Sequence, residues 1–522
     1  MSGTAPSNIE YPDKIDGAVL KVAGVVVLGA IMSILDITVV NVALPTFQKE
    51  LDVENYSTVA WTVTAYTLAL AAVIPMTGWA ADRFGTKRLF MIAVGLFTIG
   101  SVLCASAWSI EALIGFRVLQ GLGGGMLMPL GMTIMTKAAG PARMGRLMAI
   151  LGVPMLLGPI LGPIIGGYLI DHASWHWIFL INLPIGLITL VYAFLALPSD
   201  DPQPSETFDF LGMAMLSPGL AALLYGISSI PSEGTVTATK VWLPALAGAA
   251  LVICFVFYSF KPKHPLLDFR LFKNYNLSIS TLTMFLFAAA FFGGLLLVPT
   301  YFQEVRAESA LKAGLLVAPQ GLGAMLTMPI AGALSDKFPV GRIAPIGLAL
   351  IVGAMFWLST IEADTSYGEL IFILFLLGLG MGGTMMPIMT SALRTLQSHE
   401  VARGSTLLNI TQQIASSVGV AVISVVLTNG FKDSTAVGAA QELQQAQLEG
   451  REPANWAAQL AQQLGDAFQA KVLTDMASAF GTSFVVAACL CVLTFVVSLF
   501  LPKKHEESHL LDDQGRPPIA IH

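Results

Sequence analysis

Fourteen long apolar runs, separated by short polar segments, constrain this chain more than any other feature. A helix crosses the hydrocarbon core of a bilayer with roughly 20 residues, and backbone groups in lipid must bond within their own segment. The runs therefore predict an all-α polytopic membrane protein with fourteen transmembrane helices. They lie near 17–45, 57–80, 88–107, 112–134, 145–170, 175–197, 209–229, 241–260, 277–301, 313–333, 343–360, 368–393, 404–428 and 477–501.

The scarcity of charge supports this prediction and argues against other classes of protein. Only 11% of the residues are charged, against roughly 25% in soluble proteins. The net charge of −6 offers no basic face for nucleic acid. The sequence has no phosphate-binding loop and no His-Glu-x-x-His pair, and its four cysteines lie inside apolar runs. We therefore expect no metal site and no cofactor.

The basic residues orient the helices. With the N-terminus inside, nineteen of the 27 Lys and Arg residues lie on the cytoplasmic side, seven lie outside, and Arg117 lies in the membrane. The positive-inside rule thus predicts a multi-pass protein of the cytoplasmic membrane, with cytoplasmic tails at 1–16 and 502–522. The long outer segment 429–476 predicts one or two soluble helices. A polar connector is favoured there over a lid or a partner site.

An internal repeat divides the chain. The segment Gly78–Arg83 (GWAADR) returns 254 residues later as Gly332–Lys337 (GALSDK). The repeat predicts two six-helix bundles in the same orientation, 17–197 and 277–501, joined by two linking helices within 209–260. This is the parallel-repeat plan of transporters that bind substrate near the membrane midplane, so the sequence favours transport.

Asp36 and Arg117 are the charges that lie well within a predicted span. Both come to similar depth, so we infer that they neutralise one another, directly or through water. A charge held in the membrane is a functional candidate, and we predict that Asp36 carries protons while Arg117 modulates it. The alternative is a structural pair that sets helix packing. Glu111, at the outer mouth of the fourth span, is an accessory candidate, with an ordinary interfacial charge favoured.

Two further motifs predict moving parts. The loop between the second and third spans predicts a cytoplasmic gate, in which Asp82 bridges the two bundles by accepting bonds at a helix N-terminus. A tight turn that only anchors the helices is the alternative. The gate residues are Gly78, Asp82, Arg83, Gly85, Lys87 and Arg88. The fifth span predicts a bendable antiporter hinge, with close helix packing as the alternative. The hinge residues are Gly158, Pro159, Gly162, Pro163, Gly166 and Gly167.

A substrate cavity is predicted between the two bundles. Methionines cluster in the matching fourth and twelfth spans, and adaptable thioethers suit varied apolar ligands, although ordinary membrane packing is the favoured explanation for them. The predicted cavity residues are Thr38, Asn41, Gln120, Met128, Met132, Met385, Met389, Asn409 and Gln413.

These motifs resemble the major facilitator superfamily, and within it the fourteen-span drug:proton antiporter branch. The resemblance rests on the first-span segment from Leu35 to Pro45, the 78–88 loop, the fourth-span segment from Arg117 to Gly123 and the fifth-span segment from Gly158 to Gly167. It implies the major facilitator fold, a proton-coupling Arg117 and exchange rather than symport. Leu374 stands in the second half where Arg117 stands in the first, and spans nine to fourteen contain no deep acid, so the resemblance does not extend to dication export.

We therefore expect a proton-coupled antiporter that exports an amphipathic small molecule by alternating access, driven by the proton gradient and without a cofactor. Its expected partners are the substrate, protons and membrane lipids, with no nucleic acid, and we expect it to function as a monomer. A dedicated exporter of an endogenous lipid, siderophore or metabolite is the alternative on the same fold. A membrane receptor or scaffold without proton-driven transport is the alternative of another class.

Overall fold

The computed structural model describes residues 15–53, 56–139, 143–198, 207–230, 235–262, 265–397, 400–449, 451–465 and 467–504. Most of the two predicted tails therefore lies outside the described residues. The described chain is helical, apart from short turns and connections. The helices are α1 (Gly17–Glu50), α2 (Tyr56–Phe84), α3 (Thr86–Ala105), α4 (Ile110–Ala139), α5 (Met144–His172), α6 (His176–Leu180), α7 (Asn182–Ala196), α8 (Phe210–Ser228), α9 (Thr239–Tyr258), α10 (Tyr275–Glu304), α11 (Ala310–Lys337), α12 (Val340–Leu358), α13 (Tyr367–Gly382), α14 (Met385–Arg394), α15 (Val401–Asp433), α16 (Thr435–Glu449), α17 (Asn455–Leu464) and α18 (Ala467–Ser498).

Each predicted run is occupied by helix. Within the described residues, thirteen segments are long and apolar enough to cross a membrane, and α5, a continuous helix of 29 residues, occupies the remaining run. Several helices extend past their apolar runs. The first run ends near residue 45, whereas α1 continues to Glu50.

Two of the predicted spans are interrupted. The sixth is divided into α6 and α7 at Ile181, and the twelfth into α13 and α14 at Gly383 and Thr384. Each break lies three or four residues before a proline, Pro184 and Pro387. Proline lacks an N–H, so the carbonyl four residues earlier loses its helical partner, and the proline ring crowds that carbonyl. The two breaks therefore coincide with prolines, although other prolines, such as Pro129, lie inside continuous helices.

The helices before and after the linking pair pack mainly within their own group. Helix α4 packs against both α2 and α3. A Cβ on Gly121 or Gly125 would collide with the backbone of α2, and one on Gly123 with the backbone of α3. Small residues let helix backbones approach closely in a membrane. The glycine-rich part of α4 therefore brings three helices together directly below Arg117.

The linking helices α8 and α9 pack against one another, and α8 also contacts α2 and α15. Ser217 on α8 donates a hydrogen bond to the carbonyl of Ala72 on α2, at 2.6 Å. Leu216 and Leu220 belong to an apolar cluster that also contains Ile74 of α2 and Leu407 of α15. The linking pair is thus attached to both helix groups.

The outer segment contains two helices, α16 and α17, between the last two membrane helices. Glu442 on α16 binds Arg451 through both of its oxygens, at 2.6 and 3.2 Å, and accepts from the N–H of Ala454 at 3.1 Å. These contacts connect the middle of α16 to the segment that leads into α17. The arginine and the backbone N–H hold the pKa of Glu442 below its ordinary value.

Candidate functional site

Asp36 and Arg117 form a direct ion pair in the middle of the first helix group. The Arg117 side chain is fully buried and Asp36 is 2% exposed. Asp36 comes from α1 and Arg117 from α4, and Arg117 Nη1 donates to Asp36 Oδ2. The contact inferred from the depth of the two charges is therefore direct, and needs no intervening water.

Gln120 binds both members of this pair. Its Nε2 donates to Asp36 Oδ1 at 2.6 Å and its Oε1 accepts from Arg117 Nη1 at 2.7 Å. Gln120 also donates to Ser101 Oγ on α3, at 2.7 Å. Gln120, which the sequence analysis assigned to the substrate cavity, therefore lies in the network of the ion pair. It lies one helical turn after Arg117, so both side chains point to the same side of α4.

Asn182, at the start of α7, completes the polar network. Its Nδ2 lies 3.4 Å from Asp36 Oδ1 and 3.2 Å from Ser101 Oγ. The sequence analysis did not select Asn182 or Ser101 as site residues. Polar side chains within membrane spans are rare, since an unpaired polar group is costly in lipid. The position of Asn182 within a predicted span could therefore have identified it as a candidate site residue from the sequence.

Aromatic and backbone groups on α2 and α6 hold the guanidinium of Arg117. Its Nε donates to the carbonyl of Thr62 at 2.9 Å. Its central carbon lies 4.1 Å from the centre of the Tyr66 ring and 5.9 Å from that of Phe179. A cation over an aromatic face is stabilised by the ring quadrupole, more strongly when water is excluded. Besides its ion pair with Asp36, Arg117 is thus held by the amide of Gln120, a backbone carbonyl and two aromatic rings.

Glu111 lies apart from this network. It is exposed in the first turn of α4, six residues before Arg117, which is about 9 Å along the helix axis. Glu111 thus lies at the start of the fourth span, and its accessory role stays a prediction.

The gate loop lies where α2 meets α15 of the other helix group. Asp82 Oδ2 is 3.9 Å from Nε of Arg403, in the first turn of α15. A Cβ on Gly78 would be 3.3 Å from the carbonyl of Ala402 and 3.4 Å from the Cα of Arg403. The two groups are therefore close together at this face, which the basic residues predict to be cytoplasmic and which we call the inner face.

Of the other gate residues, Gly85 and Lys87 make contacts within the first group, whereas two arginines are exposed. Gly85 joins α2 to α3 with a φ of 87°, a backbone conformation that favours glycine. Lys87 donates to the carbonyls of Phe194 and Leu197, at 2.8 and 2.6 Å, at the C-terminal end of α7. A cation is favourable there. Arg83 and Arg88 are exposed.

The second copy of the motif makes a matching contact with the first group. Asp336 accepts from the N–H of Gly145 at 2.7 Å and from Nε of Arg146 at 2.9 Å, in the first turn of α5. Asp82 and Asp336 thus each contact the first turn of a helix in the opposite group. The sequence analysis noticed the repeat but did not extend the gate prediction to Asp336.

A third contact between the groups connects α4 with α15. The hydroxyls of Thr133 and Ser405 lie 2.8 Å apart, and Ser405 also donates to the carbonyl of Pro129 at 3.2 Å. One turn further along α15, Asn409 Nδ2 lies 3.0 Å from the sulfur of Met132. Two predicted cavity residues, Met132 and Asn409, therefore contact one another across the interface.

The glycines of the predicted hinge form the contact between α5 and α1. A Cβ on Gly158 would overlap Ile34, one on Gly162 would overlap Thr38, and one on Gly166 would press on Val39. Thr38 Oγ1 donates to the carbonyl of Gly158 at 3.1 Å. Nothing lies within 4 Å of the corresponding point on Gly167. The side chains of Pro159 and Pro163 lie outside the described residues.

The remaining predicted cavity residues are dispersed. Asn41 is exposed near the outer end of α1 and Met128 is half-buried. Met385 and Met389 on α14 are 3% and 1% exposed, so they pack in the core of the second group. Gln413 lies in a small cleft lined by α2, α8 and α15, beside Ala71 and Leu220, and therefore faces the linking helices.

Comparison with known families and curated proteins gives one consistent result. The profile of the Major Facilitator Superfamily matches residues 26–420. The chain is 45% identical over 504 residues to a protein of Mycobacterium tuberculosis called multidrug resistance protein B homolog, covering 96% of this chain and 93% of that protein. It is 31% identical over 412 residues to the multidrug export protein EmrB of Haemophilus influenzae, covering 78% of this chain and 81% of EmrB.

Solved structures share the fold at lower identity. The human organic anion transporter MFSD10 aligns with a TM-score of 0.60 at 17% identity, over 94% of this chain and all of that chain. The proton:xylose symporter XylE aligns with a TM-score of 0.54 at 15% identity, over 94% of this chain and 97% of XylE. At such identities the similarity concerns the arrangement of the helices alone.

Proposed function

The chain belongs to the major facilitator superfamily, and on this basis we propose that it is a proton-coupled antiporter that exports amphipathic drugs or other small molecules across the cytoplasmic membrane. It is a multi-pass membrane transporter and not an enzyme. Its relatives in M. tuberculosis and H. influenzae are called a multidrug resistance protein homolog and a multidrug export protein, and these names support drugs as the substrate class. The predicted orientation, with both termini cytoplasmic, belongs to the same proposal.

The buried pair of Asp36 and Arg117 is the observation that carries the proton-coupling part of the proposal. Burial without a partner would disfavour the carboxylate strongly, whereas an adjacent guanidinium favours it. Proton uptake by Asp36 therefore depends on how closely Arg117 approaches. A movement of α1 relative to α4 changes that approach, so a change in conformation and a change in protonation drive one another.

The two groups close the inner face through Asp82 and Asp336. In the proposed cycle these contacts break to admit substrate from the cytoplasm or inner leaflet. They form again after the outer side opens and the substrate leaves. Asp36 takes a proton from outside and releases it inside during the return. One charge crossing the full membrane potential contributes about 2.3 kcal/mol per 100 mV, which supports a modest uphill gradient of substrate.

A liposome assay tests this function. The purified protein is reconstituted with an internal pH dye, a proton gradient is imposed, and a panel of amphipathic compounds is added. We expect substrate-dependent proton movement in the wild type and its loss in Asp36→Asn, because an amide cannot carry the proton. Glu369→Gln, which removes an exposed acid in the first turn of α13, is the control and should retain coupling. Full uphill export by Asp36→Asn would refute proton transfer at this site.

A further inference from the structure

The side-chain amide of Gln120 lies between the two charges of the buried pair, and only one orientation of it suits both. Its Nε2 is 2.6 Å from Asp36 Oδ1, and its Oε1 is 2.7 Å from Arg117 Nη1. A carboxylate only accepts hydrogen bonds and a guanidinium only donates them. The charged pair therefore requires the amide nitrogen to face Asp36 and the amide oxygen to face Arg117.

The other two neighbours of the amide accept either orientation. Ser101 Oγ is 2.7 Å from Nε2, and Cys104 Sγ is 3.6 Å from Oε1. A hydroxyl and a thiol can each donate or accept. Asn182 donates to Ser101 Oγ at 3.2 Å, which leaves the Ser101 hydrogen available for an amide oxygen. Asp36 and Arg117 alone thus select the orientation of Gln120 among these four partners.

When Asp36 is protonated at Oδ1, this oxygen no longer needs a hydrogen-bond donor beside it but an acceptor. The new O–H needs an acceptor, and a buried donor without one is costly. The described side chains that contact Asp36 (Arg117, Gln120 and Asn182) all present N–H groups to it. Asn182 and Gln120 can each offer an oxygen by turning the amide over, and Gln120 is the nearer of the two, since its Nε2 lies 2.6 Å from Oδ1 and that of Asn182 lies 3.4 Å away. The turn of Gln120 also points the NH₂ group at Arg117, where two donors then face each other.

We propose that Gln120 is a positioning residue of the proton site, whose amide turns over when Asp36 takes up a proton and so withdraws the acceptor that holds Arg117. A hydronium ion gives its proton to Oδ1 and leaves a water molecule, so one O–H bond breaks and one forms, and the turn of the amide itself exchanges only hydrogen bonds. Arg117 keeps its bond to the carbonyl of Thr62 on α2. This proposal rests on the proposed function, since it describes how protonation of Asp36 is passed to Arg117.

Among the other groups that face Asp36, Asn182 carries a second amide, and its nitrogen lies farther from Oδ1 than that of Gln120, at 3.4 Å. The charged or titratable groups beside it, among the described residues, are Arg117 on α4, Tyr66 on α2 and Cys104 on α3. The Tyr66 hydroxyl is directed to Ser33, at 3.1 Å. Helix α7 contributes the neutral Asn182, and α5 presents its glycines to other residues of α1.

Infrared difference spectroscopy tests the turn directly. Acid-minus-neutral spectra of the wild type in liposomes should show a new protonated carboxyl band together with a change in a glutamine side-chain amide band. Gln120→Leu should lose the amide signal and keep the carboxyl band. Gln320→Leu is the matched control, because Gln320 is a buried glutamine of α11 in the second group, 5% exposed, and both signals should remain. An amide band that stays unchanged in the wild type, or that persists in Gln120→Leu, overturns the proposal.

The pH dependence of transport gives a second readout. In Gln120→Leu, both the ionised and the protonated form of Asp36 lose a hydrogen bond to the side chain at position 120. The bond to the ionised form is charge-assisted and therefore the stronger, so its loss destabilises the ionised form more. The midpoint of substrate-dependent proton release should therefore rise by about half a pH unit, and Gln320→Leu should leave it in place. An unchanged midpoint in folded Gln120→Leu overturns the positioning role. Gln120→Met, which has a similar length and carries neither an amide nor a carboxyl group, replaces the leucine variant in the infrared test if that variant does not fold.

Failure of this proposal is separable from failure of the proposed function. Wild-type export that is lost in Asp36→Asn, with no amide signal, refutes only the role of Gln120. Wild-type protein without any substrate-dependent proton movement refutes the function itself.

Discussion

In the buried pair of Asp36 and Arg117, each residue stabilises the charge of the other. Removing one member of a buried pair leaves an uncompensated charge, which destabilises a protein strongly, by about 3–5 kcal/mol. Arg117 also holds the carbonyl of Thr62 and stacks on Tyr66. The contacts of Arg117 therefore depend on the shape of its side chain as well as on its charge.

Because the contacts of Arg117 depend on its shape, lysine is a poor replacement at position 117. Lysine keeps the charge, but it lacks the planar fork that reaches Asp36, Gln120 and Thr62 together. We expect Arg117→Lys to be expressed and folded, with proton-coupled transport lowered about tenfold, since a lost charge-assisted hydrogen bond is worth roughly 1.5–3 kcal/mol. The measurement is initial export rate in liposomes. A rate equal to the wild type would show that charge alone is sufficient.

A pH effect is expected at Glu442 in the outer helices. Its pKa is lowered by Arg451 and by the N–H of Ala454, so its contribution to stability is fully present above the ordinary glutamate pKa of about 4.3. The contribution is lost as the pH falls through the lowered folded value. Hydrogen-exchange protection of residues 435–464, corrected for intrinsic rates, should be constant from pH 8 to about pH 5 and fall below about pH 4. Glu442→Gln should lack this protection throughout, and equal protection in both proteins would contradict the assignment.

At the scale of elements, the contact between α1 and α5 depends on glycine at particular positions. A methyl group at Gly162 would overlap the Thr38 side chain and lie 3.1 Å from its backbone carbon, whereas Gly167 faces open space. We expect Gly162→Ala to lower the melting temperature by several degrees, as overpacking typically costs ~1–3 kcal/mol, and to slow export. Gly167→Ala on the same helix should affect neither. Similar melting temperatures for the two variants would mean that α1 and α5 separate easily.

The sequence predicted helix type and approximate position well, because twenty apolar residues in lipid have few other ways to satisfy their backbone. It did not predict the interruptions of the sixth and twelfth spans. Hydropathy does not register a missing N–H, and proline is tolerated elsewhere in these helices, as at Pro45 and Pro129. Whether a proline bends or breaks a helix depends on what its neighbours can supply to the freed carbonyl.

At the scale of the molecule, the two helix groups meet at the inner face, where α5 packs along α11 and where three of the polar contacts between the groups also lie. Asp82 faces Arg403, Asp336 binds the start of α5, and Thr133 lies against Ser405. Alternating access requires all three to separate, so joining them covalently should stop the cycle.

A cysteine pair tests that expectation. The hydroxyls of Thr133 and Ser405 lie 2.8 Å apart, which suits a disulfide between Thr133→Cys and Ser405→Cys. The exposed Cys254 and Cys489 are first replaced by serine. We expect oxidation to abolish export and reduction to restore it, while each single cysteine variant responds to neither. Continued export by the fully cross-linked protein would exclude opening at this face.

The sequence alone located the spans, the repeat and the two charges worth examining, and it predicted the orientation of the spans. Each follows from a property carried by a short stretch of chain: apolar length, basic flanks, a recurring motif, or a charge where lipid disfavours one. Those properties do not depend on how the helices are arranged around each other.

Tertiary structure decided which side chains act together. Asp36, Ser101, Gln120 and Asn182 come from four different helices, and only packing at the glycine-rich part of α4 brings them within hydrogen-bond distance. The same packing places Gln120 in the network of the ion pair and Gln413 beside the linking helices. A side chain's direction around its helix follows from the rotation and contacts of that helix, which no local pattern of residues encodes.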